Sequence, residues 1–204
     1  MLERIVEGLR ATSPAELASV LAGLAYGVLA VRQDRRCWLF GGFSSAILAW
    51  LAAQARLPMQ SMLQVAYVLM AGYGFWHWSR ASRQRSTLSI GVWPWPAHVA
   101  IGVAIAAGTA ALAPWVEGWT AAAWPRLDTA TMLASLLATW MVARVRLENW
   151  LYWIAIDAVS LYLYAVQGLS FVALLYLVYL VIAVFGWFEW RGRLRRQSAV
   201  AGAP

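Results

Sequence analysis

The sequence predicts an all-α integral membrane protein with seven transmembrane helices, arranged as two parallel three-helix repeats with one helix between them (3+1+3). Three observations lead there. Of 204 residues, 62% are hydrophobic and only 12% charged, with a mean hydropathy of +0.62, whereas a soluble domain is about a quarter charged. The apolar residues come in blocks long enough to cross a bilayer, more than a single soluble core of this size buries. The chain also matches itself in one long ungapped register. Soluble enzymes, disordered chains and disulfide scaffolds are excluded. The lone Cys37 also leaves no internal disulfide, Cys-based zinc site or CxxC redox pair.

Residues 1–13, with Glu3, Arg4, Glu7 and Arg10 among Ile5, Val6 and Leu9, read as a short amphipathic lead-in. They lack the basic start and continuous apolar run of a cleavable signal. Crossing the hydrocarbon takes about 20 predominantly apolar residues, and roughly 17 suffice. Seven segments qualify: 14–31, 37–55, 59–79, 93–115, 128–143, 149–166 and 170–190. Each is bounded by a polar or Pro-containing connection, such as Arg32-Gln-Asp-Arg-Arg36, Arg56-Leu-Pro58 or Gln167-Gly168. The fourth opens on Trp93-Pro-Trp-Pro96, where interfacial Trp anchors and a first-turn Pro are both ordinary. The fifth is the shortest, and the seventh is apolar almost throughout from Ser170 to Val184. Residues 191–204 read as a basic cytoplasmic tail, with Arg191-Gly-Arg-Leu-Arg-Arg196 as a stop-transfer cluster.

The net charge of +7 comes from 16 arginines and no lysines against 9 acids. With seven spans, the first, third and fifth loops and the C-terminus share one side and hold twelve arginines, leaving four on the other. Basic residues are retained in the cytoplasm, which predicts an external N-terminus and a cytoplasmic C-terminus. Orientation accounts for the charge, and no nucleic-acid partner is needed.

Sliding the chain by 112 residues lays 16–83 over 128–195 without a gap. Trp38 falls on Trp150, Tyr67 on Tyr179, Gly74 on Gly186, Trp78 on Trp190 and Arg32 on Arg144. Matches of Ala and Leu arise by chance in such a composition, but two Trp pairs, a Tyr pair and a Gly pair in one register do not. The units are 14–79 and 128–190, with 93–115 between them. The intervening helix restores the direction of the second copy, giving parallel repeats, an architecture that places a substrate path at the interface between copies.

Candidate ligand contacts follow from helical faces. Trp150, Trp153 and Asp157 share one face of the sixth span. An ionisable group at Asp157's depth ordinarily faces a bundle interior or a water-filled cavity. Two indoles beside a carboxylate suit a flat cationic aromatic ligand. An interhelical hydrogen bond for Asp157 and an interfacial belt for the tryptophans are the alternatives. A stripe of Gln64, Tyr67, Ala71, Gly74 and Trp78 on the third span is echoed by Tyr176, Tyr179, Ala183, Gly186 and Trp190 on the seventh. Gln64, Tyr67, Tyr176 and Tyr179 are therefore candidates, with the glycines serving close packing. The repeat is unequal at the site, where Trp153 meets Gly41 and Asp157 meets Ser45. His77 and His98 stand alone, which predicts no metal site, and no catalytic constellation presents itself.

At Glu148-Asn-Trp-Leu-Tyr-Trp153, then Asp157, Leu175-Tyr176 and Gly186-Trp187 to Trp190, the sequence resembles the PnuC-type vitamin transporters. The resemblance implies a bacterial inner-membrane carrier for nicotinamide riboside, with no cofactor. It also implies facilitated diffusion, trapping of the vitamin by a cytoplasmic kinase, and a homotrimer. Relatives in the family carry thiamine, riboflavin or deoxynucleosides. By this likeness Trp150 and Trp153 are the aromatic pair beside the vitamin, and the carboxamide of the implied nicotinamide riboside wants a donor and an acceptor together, which Gln64 or Asn149 supplies. A thiamine carrier is the nearest alternative, and a membrane scaffold or lipid-modifying enzyme the alternative of another class.

Overall fold

The computed structural model describes Gly8 and residues 12–83, 88–118 and 124–201. These residues form seven helices: α1 (Pro14–Val31), α2 (Cys37–Gln54), α3 (Pro58–Arg83), α4 (Trp95–Glu117), α5 (Pro125–Ala143), α6 (Asn149–Val166) and α7 (Ser170–Ala201). The lead-in 1–13 lies, apart from Gly8, Thr12 and Ser13, outside the described residues. All seven expected segments are helical. Of these, α1, α2, α4 and α7 are long and apolar enough to cross a membrane. The other three reach spanning length but carry the polar residues Gln60 and Gln64 (α3), Asp128, Ser135 and Thr139 (α5), and Asp157 and Ser160 (α6), all of which line an internal cavity.

Local chemistry sets the helix ends. At the start of α1, the Ser13 hydroxyl accepts from the Glu16 amide (3.2 Å) while the Glu16 carboxylate accepts from the Ser13 amide (2.7 Å), a capping box with Pro at the first turn. Four helices end in the same paired closure. After α1, Gln33 N–H donates to the Ala30 carbonyl and Asp34 N–H to Leu29; after α5, Val145 donates to Val142 and Arg146 to Met141. After α2, Arg56 donates to Ala53 and Leu57 to Ala52; after α6, Gly168 donates to Ala165 and Leu169 to Tyr164. Each is a Schellman closure with a left-handed residue: Gln33 (φ 59°), Val145 (φ 54°), Arg56 (φ 56°) and Gly168 (φ 76°). Every pair is separated by 112 positions.

Val145 is the costly member, because a β-branched residue is strained at positive φ. Its turn is held from outside, where Gly91 N–H donates to the Val145 carbonyl and Leu147 N–H donates to that of Gly91, both at 3.0 Å. The same segment is tied at Ile90, whose amide donates to Gln197 Oε1, while Gln197 Nε2 donates to the Leu88 carbonyl. In the counterpart turn, Arg36 clasps Asp34 and holds its carboxyl below the usual carboxylate range.

Helices α1, α2 and α3 pack in sequence, as do α5, α6 and α7; the two groups meet where α3 lies on α5 and α7 on α1, while α4 lies against α5. The meeting is reciprocal. Trp78 Nε1 donates to the Ala143 carbonyl at the end of α5 (3.1 Å), and Trp190 Nε1 donates to the Val31 carbonyl at the end of α1 (3.0 Å). Each indole thus caps the final turn of a helix in the opposite group, using a carbonyl that has no partner within its own helix.

Two expectations change. The seventh helix does not stop at residue 190, because α7 runs on through the basic segment to Ala201. Arginine is a good helix former, and Arg193 adds an ion pair to Glu189 one turn earlier (2.9 Å) and a bond to the Arg32 carbonyl (3.1 Å). At 32 residues and about 1.5 Å per residue, α7 outreaches the roughly 30 Å hydrocarbon core. His98 is also not alone: its Nδ1 lies 3.1 Å from the Tyr152 hydroxyl and its Nε2 3.7 Å from Glu148, a residue 50 positions away in sequence. Glu148 also accepts from the Trp93 amide (2.7 Å), fixing the start of α4 to that of α6.

Candidate functional site

A cavity of about 890 Å³ lies among α1, α2, α3, α5, α6 and α7. At one end its lining includes the exposed Arg56, Leu57 and Gln167, so it reaches the surface there. At the other end it stops on buried Ala30, Val142, Trp38 and Trp150.

Two matching aromatic layers form that closed end. Trp38 meets Trp78 edge to face at 5.5 Å and 86°, and Trp150 meets Trp190 at 5.4 Å and 88°. Such pairs contribute about 0.5–1.5 kcal/mol beyond their buried area. Each outer indole lies directly on a glycine, Trp38 on Gly74 and Trp150 on Gly186, where a Cβ would penetrate the ring. The glycines are therefore seats for rings rather than spacers between helix backbones.

Seven of the eight residues singled out by sequence line the cavity. Asp157 is 4% exposed, and among the described residues no Arg or His nitrogen lies within 4 Å of its carboxylate. Trp153 lies one turn before it on the lining of α6. Gln64 is buried on α3, and Tyr67 hydrogen-bonds Ser135 Oγ at 2.6 Å. On α7, Tyr176 stacks on Tyr164 at 5.2 Å and 17° and meets Tyr179 edge-on. The Tyr179 hydroxyl lies where a Cβ on Gly23 would be. Since Gly23 is 112 positions before Ser135, the two tyrosines reach equivalent places in the two groups. Trp150 lines the cavity through its floor.

Asn149 does not belong to the set. It is fully buried at the start of α6, its Nδ2 donates to the Arg146 carbonyl, and it is not among the lining residues. Its amide nitrogen is engaged at the helix start, and its Oδ1 is buried without a partner among the described residues.

Sequence reasoning passed over Tyr26, Trp38, Ser135, Thr139, Ser160 and Tyr164, all of which line the cavity. Ser160 and Tyr164 were findable, because they continue the face of Trp153 and Asp157 by one and two turns. Trp38 was findable as the partner of Trp150. Tyr26 had no such signal, since Ala138 occupies its matched position. Among the described residues no three His, Cys, Asp or Glu side chains gather into a metal site.

An all-helical bundle with, among the described residues, four helices long and apolar enough to cross a membrane and a polar, aromatic-lined cavity within it has the build of a multi-pass membrane protein. The chain belongs to the nicotinamide mononucleotide transporter family, whose sequence pattern matches residues 13–192. It is 29% identical to the nicotinamide riboside transporter PnuC of Escherichia coli (strain K12) over 79 residues, 39% of this chain and 33% of that protein. The match thus spans about a third of that relative's length. It is 25% identical to the riboflavin/roseoflavin transporter RibM of Streptomyces davaonensis over 194 residues, 93% of this chain and 91% of that one. In fold it is similar to the crystal structure of the vitamin B3 transporter PnuC, with a TM-score of 0.73 at 21% identity over 96% of this chain and 90% of the other.

Proposed function

We propose that this chain carries nicotinamide riboside across a bacterial inner membrane by facilitated diffusion. α1–α3 and α5–α7 act as two parallel repeats about the cavity, and α4 joins them in a 3+1+3 plan with the N-terminus outside and the C-terminus cytoplasmic. The observation that carries this reading is the buried Asp157 carboxylate, without a cationic partner among the described residues, beside Trp153 and a group of tyrosines. A carboxylate this deeply buried stays ionised only beside a compensating positive charge, and a pyridinium nucleoside brings one on a ring that stacks on aromatic faces. The cavity volume falls within the usual range for small-molecule sites, about 300–1,000 Å³.

Under this proposal Asp157 balances the cation, Trp153 and Trp150 meet the ring, and Gln64, Tyr67, Tyr176 and Tyr179 address amide and sugar hydroxyls. The protein performs no chemistry on its cargo; a cytoplasmic kinase retains the vitamin by phosphorylating it. Assembly is a homotrimer. A second reading, riboflavin as cargo, is favoured by the near full-length similarity to RibM, and thiamine shares the cationic ring.

Calorimetry on the purified protein with nicotinamide riboside, thiamine and riboflavin separates these. Nicotinamide riboside is expected to bind most tightly. Tighter binding of riboflavin or thiamine reassigns the cargo, and no binding of any of the three refutes a vitamin carrier.

A further inference from the structure

The two halves of the cavity supply their aromatic walls differently. In the second half the ring comes from α6, as Trp153, while the matched position in the first half is Gly41. The space at Gly41 is not empty. The Tyr26 ring of α1 fills it, with Cδ2 2.8 Å from where a Gly41 Cβ would stand. Position 138, which matches Tyr26, is Ala138 and fully buried. Ring and small residue have therefore changed places, Tyr26 with Gly41 in one half and Ala138 with Trp153 in the other. Tyr26 and Trp153 both line the cavity. Tyr26 is braced edge-on by Trp38 at 5.7 Å, and its hydroxyl has no hydrogen-bond partner among the described residues. No polar bond within the fold accounts for the residue, and what the structure shows it placing in the cavity wall is the ring.

We propose that Tyr26 is the aromatic wall facing Trp153 across the site, and that the two rings together select a flat heterocycle. The proposal deepens the vitamin-carrier reading and rests on it. The helix that provides the ring is interchangeable, provided one ring and one small residue occupy the pair of positions.

The test measures affinity by calorimetry and thermal stability on the same detergent-purified samples. Tyr26→Phe keeps the ring and should bind within about threefold of the wild type, because the proposal assigns the contact to the ring face; a loss as large as that of Tyr26→Ala would assign it to the hydroxyl and overturn the proposal. Tyr26→Ala should bind about ten- to a hundredfold more weakly, the usual loss when a stacking ring is removed. Tyr26→Ala combined with Gly41→Trp, which copies the arrangement of the second half, should recover most of that affinity. Unchanged affinity in Tyr26→Ala, with or without a drop in melting temperature, overturns the proposal, as does a double variant that regains stability but not binding. Wild-type protein that binds none of the three vitamins removes the carrier reading and this proposal together, whereas wild-type binding with unaffected Tyr26→Ala removes this proposal alone.

Discussion

Asp157 concentrates the site's electrostatics in one atom group. Two acids line the cavity, and the other, Asp128, stands in the first turn of α5, where a negative charge is favoured by the helix dipole. Asp157 sits mid-helix and has no such compensation. Asp157→Asn should therefore weaken a cationic vitamin by about tenfold or more, roughly 1.4 kcal/mol, and a neutral one such as riboflavin by less than about threefold. Equal losses for both, measured by calorimetry, would instead identify a structural hydrogen bond. Asp157 and Gln64 were legible because a charged or amidic residue in an apolar span has to be accommodated somewhere, Trp153 because it shares the face of Asp157, and Tyr176 because it stands on the stripe that echoes the third span. Tyr26 was not legible: an aromatic in an apolar helix carries no mark of facing a cavity, and its counterpart is an alanine. Asn149 misled because a polar residue at a helix start has local work to do, here at the Arg146 carbonyl.

At the scale of helices, the ring seats set how closely elements approach. At Gly186 a Cβ would lie inside the Trp150 bicycle, a rigid obstacle, whereas at Gly102 on α4 nothing stands within 4 Å. Gly186→Ala should lower stability by about 1–3 kcal/mol through overpacking. Gly102→Ala should be neutral or raise it by up to about 1 kcal/mol, since alanine is the better helix former. Thermal unfolding in detergent compares them, and similar melting temperatures for the two variants would discard the seat interpretation. Helix boundaries were legible from arginine clusters, prolines and the Gln167-Gly168 break: the starts of α1, α2, α6 and α7 and the ends of α1, α5 and α6 fall where expected. The end of α7 did not, because a basic cluster reports the edge of the lipid and says nothing about the end of the helix. The capping of Val145 by Gly91 was also hidden, as it joins segments more than fifty residues apart through backbone atoms that leave no trace in side-chain pattern.

For the whole molecule, the offset of 112 residues was the most productive sequence observation. It reappears in helix ends, left-handed turns and Trp layers. What it did not convey was how the two groups meet, because contacts between copies follow from shape rather than from similarity. The proposed topology predicts that reporters fused after residue 13 and after residue 201 report opposite compartments, external and cytoplasmic. Both reporters on one side would remove the odd number of crossings, and with it the parallel alignment of the halves.

The exchange of indole caps between α3 and α5, and between α7 and α1, has a mechanical implication. Neither half holds its own latch. Sliding one half away from its neighbour pulls Trp78 off Ala143 and Trp190 off Val31 in the same stroke. Under the proposed carrier function, parting the halves would release both flanks of the chamber floor together, while a breach on one flank alone would meet the other still fastened.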